Sequence, residues 1–404
     1  MRRDRYAFVL TAFVSAALAI TMAVAASAQS EKIIHSFVGS DGAQPLAALV
    51  FDSKGNLYGT TVIGGNDNGC ICGTVFQLTP SANGTWTEKV LYNFGSASPL
   101  DGVAPDGSLI FDAKGNLYGT TQAALGGQGT VFELSPGSGG TWTEKVLYTF
   151  TGGADGGSPV GGLVFDSLGN LYGTTNLGGA FGLGTIFELV AGSGGTWTEK
   201  VLHSFTGGND GSSPLGGTLI PDSAGNLYGV AVQGGLHDYG VVFKLTRGSP
   251  WSYKVLYAFL GGSGGSYPQG SLVFDGAGNL YGVASFVVFE LTPNSTGTWT
   301  EKTLHSFAGG SDGANPLAGL IFDRVGNLYG TTNSGGAHRG TVFELIPGTG
   351  GTWTEKILHR FSASAGDGVF PLYVVPAIDA NGHLYGTTPQ GGTSNNGVVF
   401  EVIP

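Results

Sequence analysis

The sequence predicts an all-β protein, a seven-bladed β-propeller with four antiparallel strands per blade, and three observations predict it. Glycine supplies 74 of the 404 residues while charged residues make up only 11%, a composition that excludes a fold dominated by long helices rich in Ala, Leu, Glu and Lys. The string Gly-Asn-Leu-Tyr-Gly begins at Gly55, Gly115, Gly169, Gly225, Gly278 and Gly326, and returns at Gly382 with His383 in place of Asn. Those seven copies recur about every 54 residues, which suits a four-stranded blade with generous loops. Finally, one repeat is split between the two ends: residues 31–37 read as a fourth strand with nothing before it, and residues 398–404 as a third strand with nothing after it. Collagen is excluded by the lack of a three-residue glycine period. Disorder is excluded by a hydrophobic content of 41% with 24 Phe, 15 Tyr and 6 Trp.

Residues 1–28 stand apart. Arg2, Arg3 and Arg5 precede an apolar run from Tyr6 to Ala25, and Ala26-Ser27-Ala28 offers an A-x-A cleavage pattern. A secretory signal peptide cut before Gln29 is expected, leaving residues 29–404 as one propeller in a secreted or periplasmic setting. An uncleaved membrane anchor is the rival, since the run is long enough to span. After cleavage no membrane association is expected. The formal net charge of −11 argues against a nucleic-acid partner, which needs a basic surface. A monomer is expected.

Each repeat then parses in the same order. A first strand ends in Leu-Val-Phe-Asp (Leu49-Val50-Phe51-Asp52), and an Asp-x-x-Gly turn leads to the second strand, Asn56 to Thr61. A Gly-Gly loop precedes the third strand, Thr-Val-Phe-Glu-Leu (residues 130–134), and a Gly-Thr-Trp hairpin opens the fourth, Thr-Glu-Lys-Val-Leu-Tyr-x-Phe (residues 143–150). A linker of the form Gly-Gly-x-Asp-Gly-x-x-Pro (residues 152–159) crosses to the next blade. Short β-rich runs between Gly and Asn turns, with no helical period, carry this assignment. Blade seven is expected to combine residues 371–404 with residues 31–37, which closes the ring and confines exposed sheet edges to outer strands.

The combined pattern GNLYGTT…GG…GTVFEL…GTWTEKVLYTF…GGxDGxxP resembles the GloVer tandem repeat of secreted bacterial proteins, called choice-of-anchor proteins because their C-terminal attachment signals vary. The resemblance covers residues 31–404 and implies secretion and a repeat architecture, with no activity attached. The sequence stops at Pro404 without a sorting tail, so a released protein is expected. The shorter Asp-x-x-Gly-Asn-Leu-Tyr is also similar to NHL-type and gluconolactonase-type propellers, a weaker likeness that reflects a shared β-turn.

The repeats serve as an internal control on candidate site residues, because a residue type that recurs in most blades serves the blade. The turn acids Asp52, Asp112, Asp166, Asp222, Asp275, Asp323 and Asp379 are expected to cap backbone N–H groups while the following Gly takes φ > 0. The linker acids Asp41, Asp101, Asp155, Asp210, Asp312 and Asp367 are expected to cap turns as well. A Ca²⁺ site involving Asp155 and Asp210 is the alternative, although calcium needs 6 to 8 converging oxygens. The glutamates also recur, in the third strand (Glu133, Glu188, Glu290, Glu344, Glu401) and at the start of the fourth (Glu31, Glu88, Glu144, Glu199, Glu301, Glu355), so that after residue 28 only Asp67, Asp106 and Asp238 fall outside the acidic pattern.

His35, His203, His305 and His359 occupy the fourth-strand slot that holds Tyr92, Tyr148 and Tyr257 elsewhere, so a scaffold role is expected. His237 and His338 sit in variable loops without H-x-H or H-E-x-x-H spacing, and no zinc site is expected. All six Trp start fourth strands and read as scaffold. Cys70 and Cys72 are the sole cysteines; a disulfide, free thiols and an intermolecular bond all stay open.

What remains are residues where the repeats differ. The linker face of blades three to five gains Phe181, then His237-Asp238-Tyr239, then Tyr267. Blade five lacks the Gly-Gly loop, with Ala284-Ser285-Phe286-Val287 running into its third strand, and Gly264 stands where other linkers carry Asp. Aromatic rings beside a few polar groups in such a notch suit a glycan or an extracellular protein; drift in surface loops is the competing reading. The leading expectation is a non-catalytic ligand-binding module without a cofactor. A lyase, lactonase or glycan-cleaving enzyme, with His237 and Asp238 as an acid–base pair, is the alternative. A structural or adhesive surface component is another.

Overall fold

The computed structural model describes residues 30–65, 72–95, 101–124, 127–215, 217–336, 339–362, 364 and 366–404. Seven four-stranded antiparallel sheets follow one another around a ring. Blade one comprises Val50–Phe51, Leu57–Thr61, Thr74–Pro80 and Trp86–Asn93, hydrogen-bonded in that order from the first strand to the fourth. Blades two to six repeat it. Blade seven pairs Ala377–Ile378, Leu384–Thr388 and Val398–Ile403 with Ser30–Ser36, which lies against Val398–Ile403 with Ser36 opposite Val398. Among the described residues there is no α-helix, and no helix long and apolar enough to cross a membrane.

The Gly-Asn-Leu-Tyr-Gly string has two physical jobs. Its first glycine takes the turn, with Gly55 at φ +82°, while Asp52 accepts hydrogen bonds from the Lys54 and Asn56 amides at 2.8 and 2.9 Å and from the Asn56 and Tyr58 side chains. Its last glycine lies inside a fully buried second strand. A Cβ at Gly59 would stand 2.7 Å from the Phe76 ring and 2.8 Å from Leu49, so the third-strand Phe occupies the space that glycine leaves.

Aromatic contacts join the blades. The Phe that follows each fourth strand meets the third-strand Phe of the next blade edge to face: Phe94 with Phe132, Phe150 with Phe187, Phe259 with Phe289, Phe307 with Phe343 and Phe361 with Phe400, all at 5.0 to 5.2 Å between centroids. Phe205 meets Phe243 at 5.7 Å. Phe37 meets Phe76 at 5.1 Å, so the junction between blades seven and one has the same chemistry as the other six. The Trp residues also serve the scaffold: Trp142 packs edge to face on Tyr58, Trp86 on Tyr385 and Trp353 on Tyr281.

Blade five departs as its sequence suggests. Its first strand runs unbroken from Pro268 to Phe274, where other blades keep two residues, and only Ser285 and Phe286 separate its second and third strands.

Candidate functional site

Each linker is fixed at three points before it enters the ring. The residue before the linker proline is left-handed in all seven blades, with φ of 52 to 59° at Gln44, Ala104, Ser158, Ser213, Tyr267, Asn315 and Phe370. In blade two the Ala104 amide donates to the Cys72 carbonyl of blade one at 2.9 Å, and the Ala104 carbonyl accepts from the Gln122 amide at 3.0 Å. Pro105 then lies over Gly73, where a Cβ would meet the proline ring at 2.7 Å. The same glycine–proline seat holds Pro159 on Gly129 and Pro45 on Gly397. This anchoring delivers the next residue to the ring axis.

That residue is Leu46, Val160, Leu215, Leu317 and Leu372 in five blades, Gln269 in blade five and Asp106 in blade two. A cavity of about 250 Å³ is lined by Leu46, Ala47 and Val62 of blade one, Asp106, Ser108 and Gln122 of blade two, Val160 and Gly162 of blade three, Leu215 of blade four and Tyr373 of blade seven. Five blades can share one cavity only at the axis, so this is the central channel. Val62 and Gln122 directly follow second strands that end at Thr61 and Thr121, which puts the cavity toward the linker face.

Asp106 is the electrostatic feature of the channel. Its Oδ1 is sealed from solvent and has no hydrogen-bond partner. Burial pushes its carboxyl up to about 7, opposed only by its own backbone amide. Tyr373 is raised by burial and by the Asp106 charge. It sits at φ 58° in a segment one residue longer between proline and turn Asp than in blade one. An aliphatic wall with a lone carboxyl, a hydroxyl from Ser108, the Gln122 amide and the Tyr373 phenol is the general form of a small-ligand site. Asp106 was already one of three acids outside the repeat pattern. The additional signal was its position directly after the linker proline, where most blades carry Leu or Val.

The residues singled out in the variable loops lie elsewhere. Tyr239 and Tyr267 come together edge to face at 5.8 Å, with the Tyr267 amide donating to the Tyr239 carbonyl at 2.7 Å; Tyr267 is 41% exposed. His237 and Asp238 are exposed. Asp238 Oδ1 accepts from the Gly234 amide at 2.8 Å and closes its loop as Asn395 closes that of blade seven. Phe181 is 60% exposed on blade three's loop. Asp155 accepts from the Thr151 amide and the Tyr148 hydroxyl, and Asp210 from the Thr206 amide with His203 Nε2 at 3.0 Å, so both carboxylates cap their linkers. Cys72 is buried and disulfide-bonded. Cys70, Asp67 and His338 lie outside the described residues.

Comparison with known proteins bears on the fold and the family. The chain superposes on virginiamycin B lyase from Staphylococcus aureus with a TM-score of 0.58 at 12% identity, covering 93% of this chain and 99% of the other. The extracellular domain of the hybrid two-component system BT4673 from B. thetaiotaomicron gives 0.57 at 16%, covering 93% and 42%. A protein from Lactobacillus plantarum gives 0.51 at 15%, covering 82% and 95%. At these identities the likeness is one of fold. No curated protein matches the sequence. Residues 19–192, 125–287 and 217–404 each match the Gloeobacter/Verrucomicrobia repeat. Three overlapping matches across the ring make the chain a member of the Gloeobacter/Verrucomicrobia repeat family.

Proposed function

We propose that this protein is an extracytoplasmic ligand-binding propeller that takes a small molecule into the linker-face end of its channel, with Asp106 as the polar anchor. The observation that carries the reading is a largely buried carboxyl whose Oδ1 is sealed from solvent without a hydrogen bond, at a position where five blades carry Leu or Val. Blade structure does not require an acid there, and burying one is costly unless something binds it. The ligand this chemistry favours has an apolar body against Leu46, Val62, Val160 and Leu215 and an amine or hydroxyl that donates to Asp106.

The test is a thermal-shift screen of the purified protein against small amines, polyols and oligosaccharides. A ligand at a hundred times its Kd stabilises by about 2.7 kcal/mol. In Asp106→Leu that shift disappears, and in Tyr267→Ala it persists. Loss in Tyr267→Ala with retention in Asp106→Leu moves the site to the Tyr239–Tyr267 notch and rejects the channel.

A second reading is favoured by the same carboxyl. A carboxyl that burial pushes up to about 7 suits proton exchange at neutral pH, the range in which a general acid or base works best. Mass spectrometry of each bound ligand after incubation separates the two. Conversion that stops in Asp106→Asn while binding survives supports catalysis, and unchanged ligand supports a binding module.

A further inference from the structure

The outer rim of each blade interface repeats three chemical slots. One is the fourth-strand Tyr or His, the second is the linker residue, and the third is the fourth-strand residue of the next blade that lies two after the Trp in blades one to six and is Glu31 in blade seven, a Glu everywhere but at Tyr253 of blade four. Among the described residues, three interfaces have a metal-ligating group in every slot: His35 with Asp41 and Glu88, His305 with Asp312 and Glu355, and His359 with Asp367 and Glu31, the donor atoms of each set lying within 4.8 Å of one another.

The four histidine interfaces differ in a way that identifies the open ones. His203 faces Tyr253 where the others face Glu; the two rings stack at 3.9 Å and His203 Nε2 hydrogen-bonds Asp210 at 3.0 Å, so that site is filled. His35 Nε2 is likewise hydrogen-bonded to Asp41 at 3.0 Å. The two interfaces that flank blade six are different. His305 Nε2 stands 4.0 Å from Asp312 Oδ2 and 3.7 Å from Glu355 Oε1, and His359 Nε2 stands 3.4 Å from Asp367 Oδ1. Both Nε2 atoms, Glu355 Oε1, Asp367 Oδ1 and Glu31 Oε1 are sealed from solvent without a hydrogen bond. Glu88, Glu144 and Glu199 have an Oε1 sealed in the same way, so what sets these two interfaces apart is a sealed imidazole nitrogen held only at ion-pair distance from its carboxylates, and a buried ring nitrogen without a hydrogen bond calls for a further partner. An imidazole nitrogen and two carboxylate oxygens converging on one point satisfy the ligand chemistry of a zinc-class ion, which binds N and O at about 2.0–2.2 Å.

We infer that the interfaces on either side of blade six each bind one divalent transition-metal ion of the zinc class, through His305, Asp312 and Glu355 at one and His359, Asp367 and Glu31 at the other. Two carboxylates offset the charge of the ion, and water completes the coordination. Glu31 belongs to the closing strand Ser30–Ser36, whereas His359 belongs to Trp353–Arg360 of blade six. An ion at the second site therefore clips the ring's closing strand to its neighbour and couples metal binding to closure.

The experiment uses tag-free, chelator-stripped protein titrated with Zn²⁺ by calorimetry and by thermal melting. Two ions bind, and the melting temperature rises. His305→Tyr and His359→Tyr each remove one ion from the stoichiometry, and His359→Tyr removes the larger part of the thermal shift. Tyr is chosen because Tyr92, Tyr148 and Tyr257 already occupy this slot, so the metal-free variants melt with the parent. Should His359→Tyr fail to fold, Glu31→Gln takes its place in the same assay. Zn²⁺ uptake that is unchanged in the double His variant overturns the inference, as does the absence of any Zn²⁺-dependent shift. Binding of Ca²⁺ in preference to Zn²⁺ also overturns it, since an imidazole ligand disfavours calcium.

Discussion

A chain that begins at residue 38 loses its cooperative melt at the parent temperature. The closing strand Ser30–Ser36 covers the edge of Val398–Ile403, whose Val398, Val399, Phe400 and Val402 are fully buried in the closed ring. Without it that edge is open and ready to pair with another chain. The deletion also removes Ile34 and Phe37 from a core shared with Leu49, Leu57, Phe76, Leu78, Tyr385 and Val399. Replacing a buried Phe by Ala alone costs about 3–5 kcal/mol, and truncation adds the loss of the whole ladder from Ser30–Ile403 to Ser36–Val398. The expected fall in melting temperature is at least about 10 °C, with aggregation on size exclusion. Phe37→Ala melts between the parent and the truncated chain, and a peptide of residues 30–37 added in trans restores part of the lost stability. A truncated chain that melts with the parent would falsify closure by this strand.

The scaffold was legible because its residues repeat. Seven turn acids announce seven turns, and Asp52, with its amide and side-chain donors, shows why an acid is required. The linker acids follow the same logic: Asp101 accepts from the Gly95 amide and Asp312 from the Ala308 amide, both at 2.9 Å. The glycine before each third strand also has a cause that local sequence only hints at, since it seats the proline of the next linker. Phe286 stands in that place in blade five and is 51% exposed.

The candidate sites were less legible because their parts come from distant strands. Asp106 stood out as an unrepeated acid, but its isolation depends on Leu46, Val160, Leu215 and Tyr373, contributed by four other blades. The interfacial metal-ligand sets were hidden by the repeat itself. His and Tyr alternate in one slot, which reads as tolerance for any polar-tipped ring. Only the structure distinguishes His203, plugged by Tyr253, from His305, which faces two carboxyls at ion-pair distance without a hydrogen bond to either.

The double variant Glu144→Gln/Glu199→Gln melts higher than the parent near pH 8 and with it near pH 4.5. These glutamates belong to interfaces whose ring slot holds Tyr92 or Tyr148. In each, Oε1 is sealed without a hydrogen bond. Burial, and then the negative charge of Asp101 or Asp155, pushes the carboxyl from an ordinary 4.5 up to about 7. Between those values the unfolded chain releases protons that the folded chain retains, so this contribution to stability is complete below about pH 4.5 and is lost as pH rises through 7. Gln keeps the shape of the neutral acid and does not ionise. The histidines act in the opposite sense: burial lowers His35, His203 and His305, so they lose stability as pH falls below their ordinary range. That background is common to parent and variant and cancels in the comparison. Solvent screening of two half-buried groups reduces the gain, leaving about 5 °C near pH 8, measured on chelator-treated protein by scanning calorimetry. A gain of the same size near pH 4.5 means that Gln simply packs better, and no gain near pH 8 means that neither carboxylate is penalised; either result removes proton uptake from the account of how these blades meet.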